Sequence, residues 1–199
     1  EYRGKLVRKR AGQSEIAVDG RSEWVGWFEL VFGQVNAKAV LNTGRVVQLV
    51  DADILCVVEA DNRIALTRFN KEVLPQLEAN GYDNVMLIDG NDDRGIDVGI
   101  MSRLPIASIA THVHDRDDTG VIFSRDCAEY TVDLPTGDRL LVLVNHFKSK
   151  GFGSQASSNA KRLRQATRVR AIYDQRRAKG AELVAVVGNS MGWYTALGA

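Results

Sequence analysis

Apolar residues recur every three to four positions in three segments of the chain, and this period is typical of amphipathic helices. We therefore predict helices over residues 34–50, residues 63–80, and a third segment from a cap at Ser157 or Ser158 to Gly180. Pro75 falls inside the second segment, where a proline removes a backbone donor, so we expect a kink there.

Shorter runs of aliphatic and β-branched residues separate these helices and predict strands. The predicted strands are residues 54–59, 85–89, 96–102, a segment from Pro105 toward His114, 124–134, 140–144 and 183–188. Three of the runs are continuously apolar and predict burial on both faces: 54–59, 140–144 and 183–188. The run 124–134 alternates between apolar and polar residues, which predicts a half-exposed strand.

Turn signals between the strands predict hairpins. An acidic loop over residues 90–95 joins the second predicted strand to the third, and the turn at Gly137 joins the fifth to the sixth. A further hairpin is predicted for residues 2–10 with 14–20, followed by a strand or a loop over 24–31. The order of elements predicts a mixed α/β domain built in layers, with hairpins rather than a strict β-α-β alternation.

Composition fits a single globular domain over residues 1–199, since 45% of the residues are hydrophobic and 26% are charged. No apolar run approaches the roughly 20 residues that span a bilayer, so no membrane span is predicted. The two cysteines, Cys56 and Cys127, match neither a disulfide framework nor a zinc pattern, and we expect ordinary thiols.

The net charge of +1 conceals an uneven distribution. Residues 151–180 contain eight lysines or arginines and a single acid, Asp174, while residues 89–97 contain four aspartates. A basic helix and an acidic loop suit a polyanionic ligand that also needs a cation. A solvated helix face and a polar hairpin loop explain the same charges equally well.

Polar residues end three of the predicted buried strands: Glu59, the pair Asn145 and His146, and Asn189 after Gly188. If these strands lie side by side and point the same way, the polar side chains converge at one sheet edge. Glu59 would supply the one carboxylate that Mg²⁺ needs beside water and phosphate oxygens. The basic loop that follows His146 suits a phosphate. The alternative for Glu59 is a strand-end acid that faces water or pairs with an arginine. The alternative for His146 is a structural histidine.

Six motifs follow one another along the chain: DILCVVEAD, DDRGIDVGIMSRLP, FSRDC, VLVNHFKSKG, R-x-x-QA-x-R and LVAVVG. In this order they resemble the endonuclease/exonuclease/phosphatase superfamily, and the NHFKSKG form is similar to its DNase-I-like bacterial nucleases. The resemblance runs from about Asn42 to Gly188. It implies a two-sheet β-sandwich flanked by helices, in four layers, and a metal-dependent hydrolase of phosphate esters.

The resemblance also implies roles for individual residues. Glu59 matches the acid that binds the divalent metal, and His146 matches the histidine that transfers a proton to the leaving oxygen. Asp97 falls where the superfamily places an acid that orients this histidine. The residues implied in holding the substrate phosphates are Arg125, Asn145, Lys148 and Arg94.

The chain departs from the superfamily pattern at both ends. The superfamily's opening strand with its metal-site asparagine is not recognised in the sequence before Glu59. The closing Asp-His pair does not appear before Ala199. Asn189 stands at the catalytic position where an aspartate handles the attacking water, and Met191 stands where an asparagine follows. We therefore expect an incomplete copy of the superfamily's domain, with little hydrolytic activity of its own. We also expect an exposed sheet edge, which favours a homo-oligomer.

These observations leave three hypotheses for the function. The first is a Mg²⁺-dependent phosphodiesterase, with Mn²⁺ or Ca²⁺ as other metals, which acts as a nuclease on nucleic acid or as a phosphatase on a small or lipid phosphate. The second is a non-catalytic module that binds polyanions or assembles with other chains. The third is a zinc protein, because His112 and His114 share one face of a predicted strand and are spaced for a metal.

Overall fold

The computed structural model describes residues 5–20, 23–24, 36–149 and 153–189. Its helices are α1 (Ala37–Val50), α2 (Arg63–Arg68) and α3 (Gln155–Ala178). Its strands are β1 (Val7–Arg10), β2 (Gln13–Ile16), β3 (Ile54–Ala60), β4 (Asn84–Leu87), β5 (Asp97–Ser102), β6 (Ile106–Ala110), β7 (Arg116–Asp117), β8 (Gly120–Val121), β9 (Cys127–Asp133), β10 (Arg139–His146) and β11 (Leu183–Asn189). The mixed α/β prediction is confirmed.

Two larger sheets form the body of the protein. The first has the strand order β11-β10-β9-β6, in which β10 and β11 run parallel and the other pairs are antiparallel. The second has the order β3-β5-β4 and is antiparallel throughout. The pairs β1-β2 and β7-β8 are separate short hairpins, so the predicted hairpin near the start of the chain is confirmed.

A hydrophobic core lies between the two sheets, because alternate residues of each strand point toward the facing sheet. Buried residues of β5, β9 and β10 form this core: Val98, Ile100, Ala128, Tyr130, Val132, Val142 and Val144. The predicted two-sheet sandwich is therefore confirmed, and its inner faces bury the apolar residues that drive folding.

Helices cover the outer face of each sheet. The packing of α3 on the first sheet joins Ala166, Val169 and Ile172 to Leu141 and Leu143. On the other side, α1, α2 and the segment after α2 pack on the second sheet around Leu66, Leu74 and Met101. The resulting order of layers is helix, sheet, sheet, helix, as predicted. No helix in the described ranges is long and apolar enough to cross a membrane.

The second and third predicted helices differ from the observed ones in detail. The cap of α3 is Ser154, whose side chain accepts a hydrogen bond from the backbone N of Ser157 at 3.2 Å. The prediction of Ser157 or Ser158 as the cap is therefore wrong, because both residues already lie in the first turn. The helix predicted over 63–80 is regular only to Arg68. It continues as a π-helical turn (Phe69–Val73) and then as a 3₁₀-helical turn (Leu74–Leu77) that contains Pro75.

The strand β9 is buried on both faces along most of its length, so the prediction of a half-exposed strand over 124–134 is wrong. Its polar residue Glu129 is only 3% exposed and is paired with charged groups instead of facing water. The strand β6 ends at Ala110, so His112 and His114 lie in the turn after it and not on a strand face. Most of the predicted segment 24–31 lies outside the described residues.

Candidate functional site

The ends of β10 and β11 bring two of the candidate residues together. In the parallel register His146 is opposite Asn189, and Asn145 is opposite Gly188. A Cβ on Gly188 would lie 1.9 Å from the backbone oxygen of Asn145, and its φ is +148°. Only glycine permits this approach, so the sequence LVAVVG closes the two strand ends against each other.

Glu59 reaches the same place from the facing sheet. A bulge interrupts β3 between Val58 and Ala60, and Glu59 adopts a left-handed φ of +61°. Its Oε1 lies 3.8 Å from Nε2 of His146. The predicted convergence of the three strand ends therefore holds for Glu59 and His146, although β3 is not a neighbour of β10 in one sheet. Left-handed backbone at a non-glycine residue is costly and is often found at functional sites.

His146 is a buried histidine, with 4% of its surface exposed. Its Nδ1 has no hydrogen-bond partner among the described residues. Asp97, predicted to orient this ring, is also buried, and its Oδ1 accepts a hydrogen bond from the backbone N of Gly90 at 2.7 Å. The orienting role of Asp97 therefore stays a prediction.

Burial and the nearby guanidinium of Arg125 lower the pKa of His146, while the carboxylate of Glu59 opposes this effect. The neutral imidazole is accordingly favoured at neutral pH. When this ring does take up a proton, it is a stronger acid than an exposed histidine. Such a group suits proton transfer next to a charged substrate.

Arg125 lies beside His146 and is 4% exposed. Its Nη1 donates to the backbone oxygen of Phe147 at 3.5 Å, and its Nε lies 3.0 Å from Oδ2 of Asp92 without the alignment of a hydrogen bond. Burial lowers the pKa of Arg125, and the carboxylate of Asp92 partly offsets this lowering. Its guanidinium is thus fixed near the strand end, as expected for a group that binds phosphate.

Asp92 also holds Arg94, and no pattern in the sequence indicates this role. The Nε and Nη2 of Arg94 donate to the two carboxylate oxygens of Asp92 at 3.0 and 3.2 Å. The Arg94 side chain is 57% exposed, so its guanidinium stays accessible to a ligand. One carboxylate therefore bridges the two arginines that were predicted to hold phosphate.

These residues line a pocket of about 330 Å³. The lining residues are Asp92, Arg94, Ser124, Arg125, Lys148, Ser149 and Lys161. Four of the side chains are cationic and one is a carboxylate, so the pocket is strongly positive. We call it the cationic pocket. A cavity with this charge favours an anion such as phosphate.

The helix α3 holds Lys148 in place at this pocket. The backbone N of Lys148 donates to Oε1 of Gln165 at 2.9 Å, and its backbone oxygen accepts from Nη1 of Arg162 at 3.1 Å. Both helix residues belong to the motif R-x-x-QA-x-R. The motif therefore fixes the loop that follows His146, a role that could not be inferred from the sequence.

Asn145 is not brought together with His146. Successive residues of a strand point to opposite faces, and Asn145 lies on the face of β10 that is covered by α3. It is completely buried, and its Nδ2 donates to the backbone oxygen of Leu143 at 3.0 Å. Its predicted role in phosphate binding finds no support in this position. Asn189, in contrast, is exposed at the open end of β11.

Most cations of α3 form ion pairs within the protein. Each of the following arginines lies next to a carboxylate: Arg164 with Asp117, Arg168 with Asp115, Arg170 with Asp174, and Arg176 with Glu129. The helix is therefore not the continuous basic track that its composition indicated. Positive charge that can meet a ligand is concentrated in the cationic pocket, to which α3 contributes Lys161.

His112 is part of one of these ion-pair networks. Its Nδ1 lies 2.8 Å from Asp115 and its Nε2 lies 2.6 Å from Glu129. In the part of the chain that the structure describes, no group of three or more His, Cys, Asp or Glu residues is arranged to hold a metal. The prediction of a zinc site on His112 and His114 is therefore wrong for these residues.

The donor set at Glu59 nevertheless fits the metal that the superfamily implies. Mg²⁺ is bound through one or two carboxylates, with water and phosphate oxygens as its other ligands. The Glu59 side chain is 60% exposed, so its carboxylate is accessible at the strand ends. Glu59 is therefore the described residue that would hold such an ion.

Comparisons with solved structures agree with this fold. The chain resembles truncated TDP2 of Caenorhabditis elegans, with 13% identity and a TM-score of 0.54 over 78% of this chain and 55% of that one. A β-hairpin deletion mutant of Staphylococcus aureus beta toxin gives 16% identity and a TM-score of 0.55, over 78% and 59% of the two chains. D. rerio TDP2, complexed with single-strand DNA product, gives 16% and 0.51, over 79% and 56%.

The chain spans somewhat more than half the length of these three proteins. Because the identities are this low, the TM-scores establish a shared fold alone. No curated protein matches the chain. The model of the endonuclease/exonuclease/phosphatase family matches residues 36–191, which is most of the chain and includes every described candidate residue. The protein therefore belongs to the endonuclease/exonuclease/phosphatase family.

Proposed function

We propose that this protein is a divalent-metal-dependent phosphodiester hydrolase that acts on nucleic acid. The observation that carries the proposal is the approach of Glu59 to His146 across the two sheets, at 3.8 Å, beside the cationic pocket. A carboxylate, an imidazole and several phosphate-binding cations are the groups that this reaction needs. The DNA bound to D. rerio TDP2 supports the choice of nucleic acid as the substrate.

Glu59 would bind the metal ion through its exposed carboxylate. When bound, Mg²⁺ supplies positive charge to the phosphoryl oxygens and lowers the pKa of a bound water. Arg125 places its buried guanidinium where it neutralises the charge that builds up on the phosphate in the transition state. Glu59, through the ion that it would hold, and Arg125 thus stabilise the same phosphate group.

His146 handles the proton in this proposal. Its Nε2 faces the strand ends where Glu59 lies, so this nitrogen is the one that donates to the leaving oxygen. The negative charge of a bound phosphate raises the pKa of the ring and so favours the protonated form when the substrate is present. Asn189 lies opposite His146 and orients the attacking water through its amide. Because an amide cannot accept a proton, the proton of this water passes to bulk solvent.

The amide at position 189 favours a second candidate function. Without a carboxylate at the end of β11, the described residues lack the base that the superfamily uses there. The chain would then be a module that binds polyanions through the cationic pocket and does not cleave them. Pairing of two copies along an outer strand would belong to the same function and stays a prediction, with light scattering as its test.

A cleavage assay separates the two functions. Labelled DNA and RNA, and p-nitrophenyl phosphate as a small monoester, are incubated with the protein and Mg²⁺ or Mn²⁺, with EDTA as the metal-free control. We expect slow cleavage of nucleic acid, because the amide of Asn189 cannot take the proton of the attacking water, and a further loss of about 10²- to 10⁴-fold in the rate for His146→Ala. The matched control His114→Ala removes an exposed histidine in a turn and should leave the rate unchanged.

Salt-sensitive binding of DNA by the wild-type protein without any cleavage would overturn the proposal in favour of the binding module. Cleavage that is limited to the monoester would overturn the assignment of nucleic acid as the substrate. Equal rates for wild type and His146→Ala would show that His146 is not the proton donor.

A further inference from the structure

Lys161 has an unusual position among the cations of α3. Its Nζ donates to the hydroxyl oxygen of Ser124 at 2.7 Å. No ion pair joins Lys161 to a carboxylate among the described residues, whereas Arg164 and Arg168, one and two turns further along the helix, each have one. Lys161 therefore brings into the cationic pocket a positive charge that forms no direct ion pair with a described carboxylate.

The surroundings of Lys161 favour the binding of an anion. The ammonium group is partly buried, and this burial, together with the nearby cations Arg164, Arg125 and Lys148, lowers its pKa. The pocket wall contains three cationic side chains besides Lys161 and only one carboxylate, Asp92. Repulsion among these cations falls when an anion enters the pocket, so the free energy of anion binding becomes more favourable.

The cationic pocket is beside the reacting centre and is not the same place. Neither His146 nor Glu59 lines it. Arg125 connects the two, because it lines the pocket and also donates to the backbone oxygen of Phe147, the residue after His146. The electrostatic influence of Arg125 and Arg94 on His146 shows that the two places are close to each other.

We propose that the cationic pocket is a subsite for a second phosphate, in which Lys161 and Arg94 bind the phosphodiester next to the one that reacts at His146. This inference rests on the phosphodiester substrate proposed above and makes it specific. A polynucleotide carries a phosphate at each linkage and fills both positions, whereas a substrate with one phosphate fills only the reacting position. Lys161 thus selects for a polymer.

The test uses a variant and a control that change the net charge equally. Lys161→Ala removes the cation of the pocket, and Arg170→Ala removes a cation of the same helix whose partner is Asp174. Binding of a short fluorescein-labelled single-stranded oligodeoxynucleotide is measured by anisotropy in EDTA at several salt concentrations. Hydrolysis of the same oligonucleotide and of bis(p-nitrophenyl) phosphate, which has a single phosphate, is measured with Mg²⁺.

We expect Lys161→Ala to weaken oligonucleotide binding by about threefold to tenfold and to reduce the slope of log K against log salt by roughly 0.7. The kcat/KM for the oligonucleotide should fall by a similar factor, while kcat/KM for bis(p-nitrophenyl) phosphate stays at the wild-type value. Arg170→Ala should match the wild-type protein in all measurements. Thermal unfolding of each variant verifies that it is folded.

Equal binding by Lys161→Ala and Arg170→Ala would overturn the second subsite. An equal loss with both substrates would also overturn it, since Lys161 would then act on the reacting phosphate. Failure of the proposed function has a different signature, in which the wild-type protein cleaves neither substrate. The binding measurement in EDTA still decides the role of Lys161 in that case.

Discussion

Oε1 of Glu59 lies 3.8 Å from Nε2 of His146, although the two residues belong to different sheets of the sandwich. His146 is placed by the regular parallel register of β10 with β11. Glu59 is placed by an irregularity, the bulge of β3 and a φ of +61°. The site therefore combines one residue held by ordinary strand pairing with one held in strained backbone.

This strain predicts opposite effects of Glu59 substitutions on stability and on activity. Glu59→Gly removes the cost of a left-handed conformation, so we expect the free energy of unfolding to rise by about 0.5 to 1 kcal/mol. Glu59→Ala keeps the strain and loses an exposed side chain, so its stability should stay within about 0.5 kcal/mol of wild type. Both variants should lose metal-dependent hydrolysis.

Urea denaturation and the cleavage assay provide these measurements. If Glu59→Gly is less stable than Glu59→Ala, the left-handed backbone at this position carries no strain that glycine relieves.

The strand ends could be predicted from the sequence because they follow local rules. Continuous apolar runs define β3, β10 and β11, and a polar residue after such a run is held at a sheet edge. This was enough to select Glu59, His146 and Asn189. The alternation within a strand also places Asn145 and His146 on opposite faces, but which face meets the ligand depends on how the sheets pack.

The family resemblance implied Arg94, Arg125 and Lys148 as phosphate-binding residues, but the cationic pocket as a whole could not be predicted, since its residues come from four separate parts of the chain. Asp92 and Lys161 are far apart in sequence, and each lies among several residues of the same charge. Charge counting cannot separate an arginine that is paired within the protein, such as Arg176, from a lysine that faces a pocket. The pairing of Glu129 with Arg176 also explains why an alternating strand is buried on both faces.

Gly188 is expected to be intolerant of substitution because of its contact with Asn145. A Cβ there would lie 1.9 Å from a backbone oxygen of β10, so Gly188→Ala must separate the two strands at the site. We predict a loss of more than about 2 kcal/mol in the free energy of unfolding. Gly137→Ala is the matched control, because Gly137 has a φ of +90° with open space around it and should cost only about 1 kcal/mol.

Chemical denaturation of both glycine variants tests the prediction. Equal losses for the two would mean that backbone conformation alone, and not the close approach of β10 to β11, requires glycine at position 188.

His112 connects the turn after β6 to β9 through charged hydrogen bonds. Burial opposes its protonation, but the hydrogen bonds with Glu129 and Asp115 outweigh burial and raise its pKa. The pKa of Glu129 is lowered to about 2, since His112 and Arg176 outweigh the burial of its carboxylate. Between pH 6 and pH 9 Glu129 is therefore ionised, and His112 is the member of this network whose charge changes.

The raised pKa predicts how the stability contribution of His112 depends on pH. A group that binds its proton more tightly in the folded protein contributes fully below its unfolded pKa of about 6.5 and loses this contribution as the pH rises through the folded pKa. His112→Gln should therefore be destabilised by about 1 to 2 kcal/mol relative to wild type near pH 6, and by progressively less toward pH 9. Urea unfolding of both proteins across this range gives the difference, with His114→Gln as the control for loss of an exposed histidine. A difference that stays constant with pH would mean that neutral His112 makes the same contacts, and that its charge contributes nothing to folding.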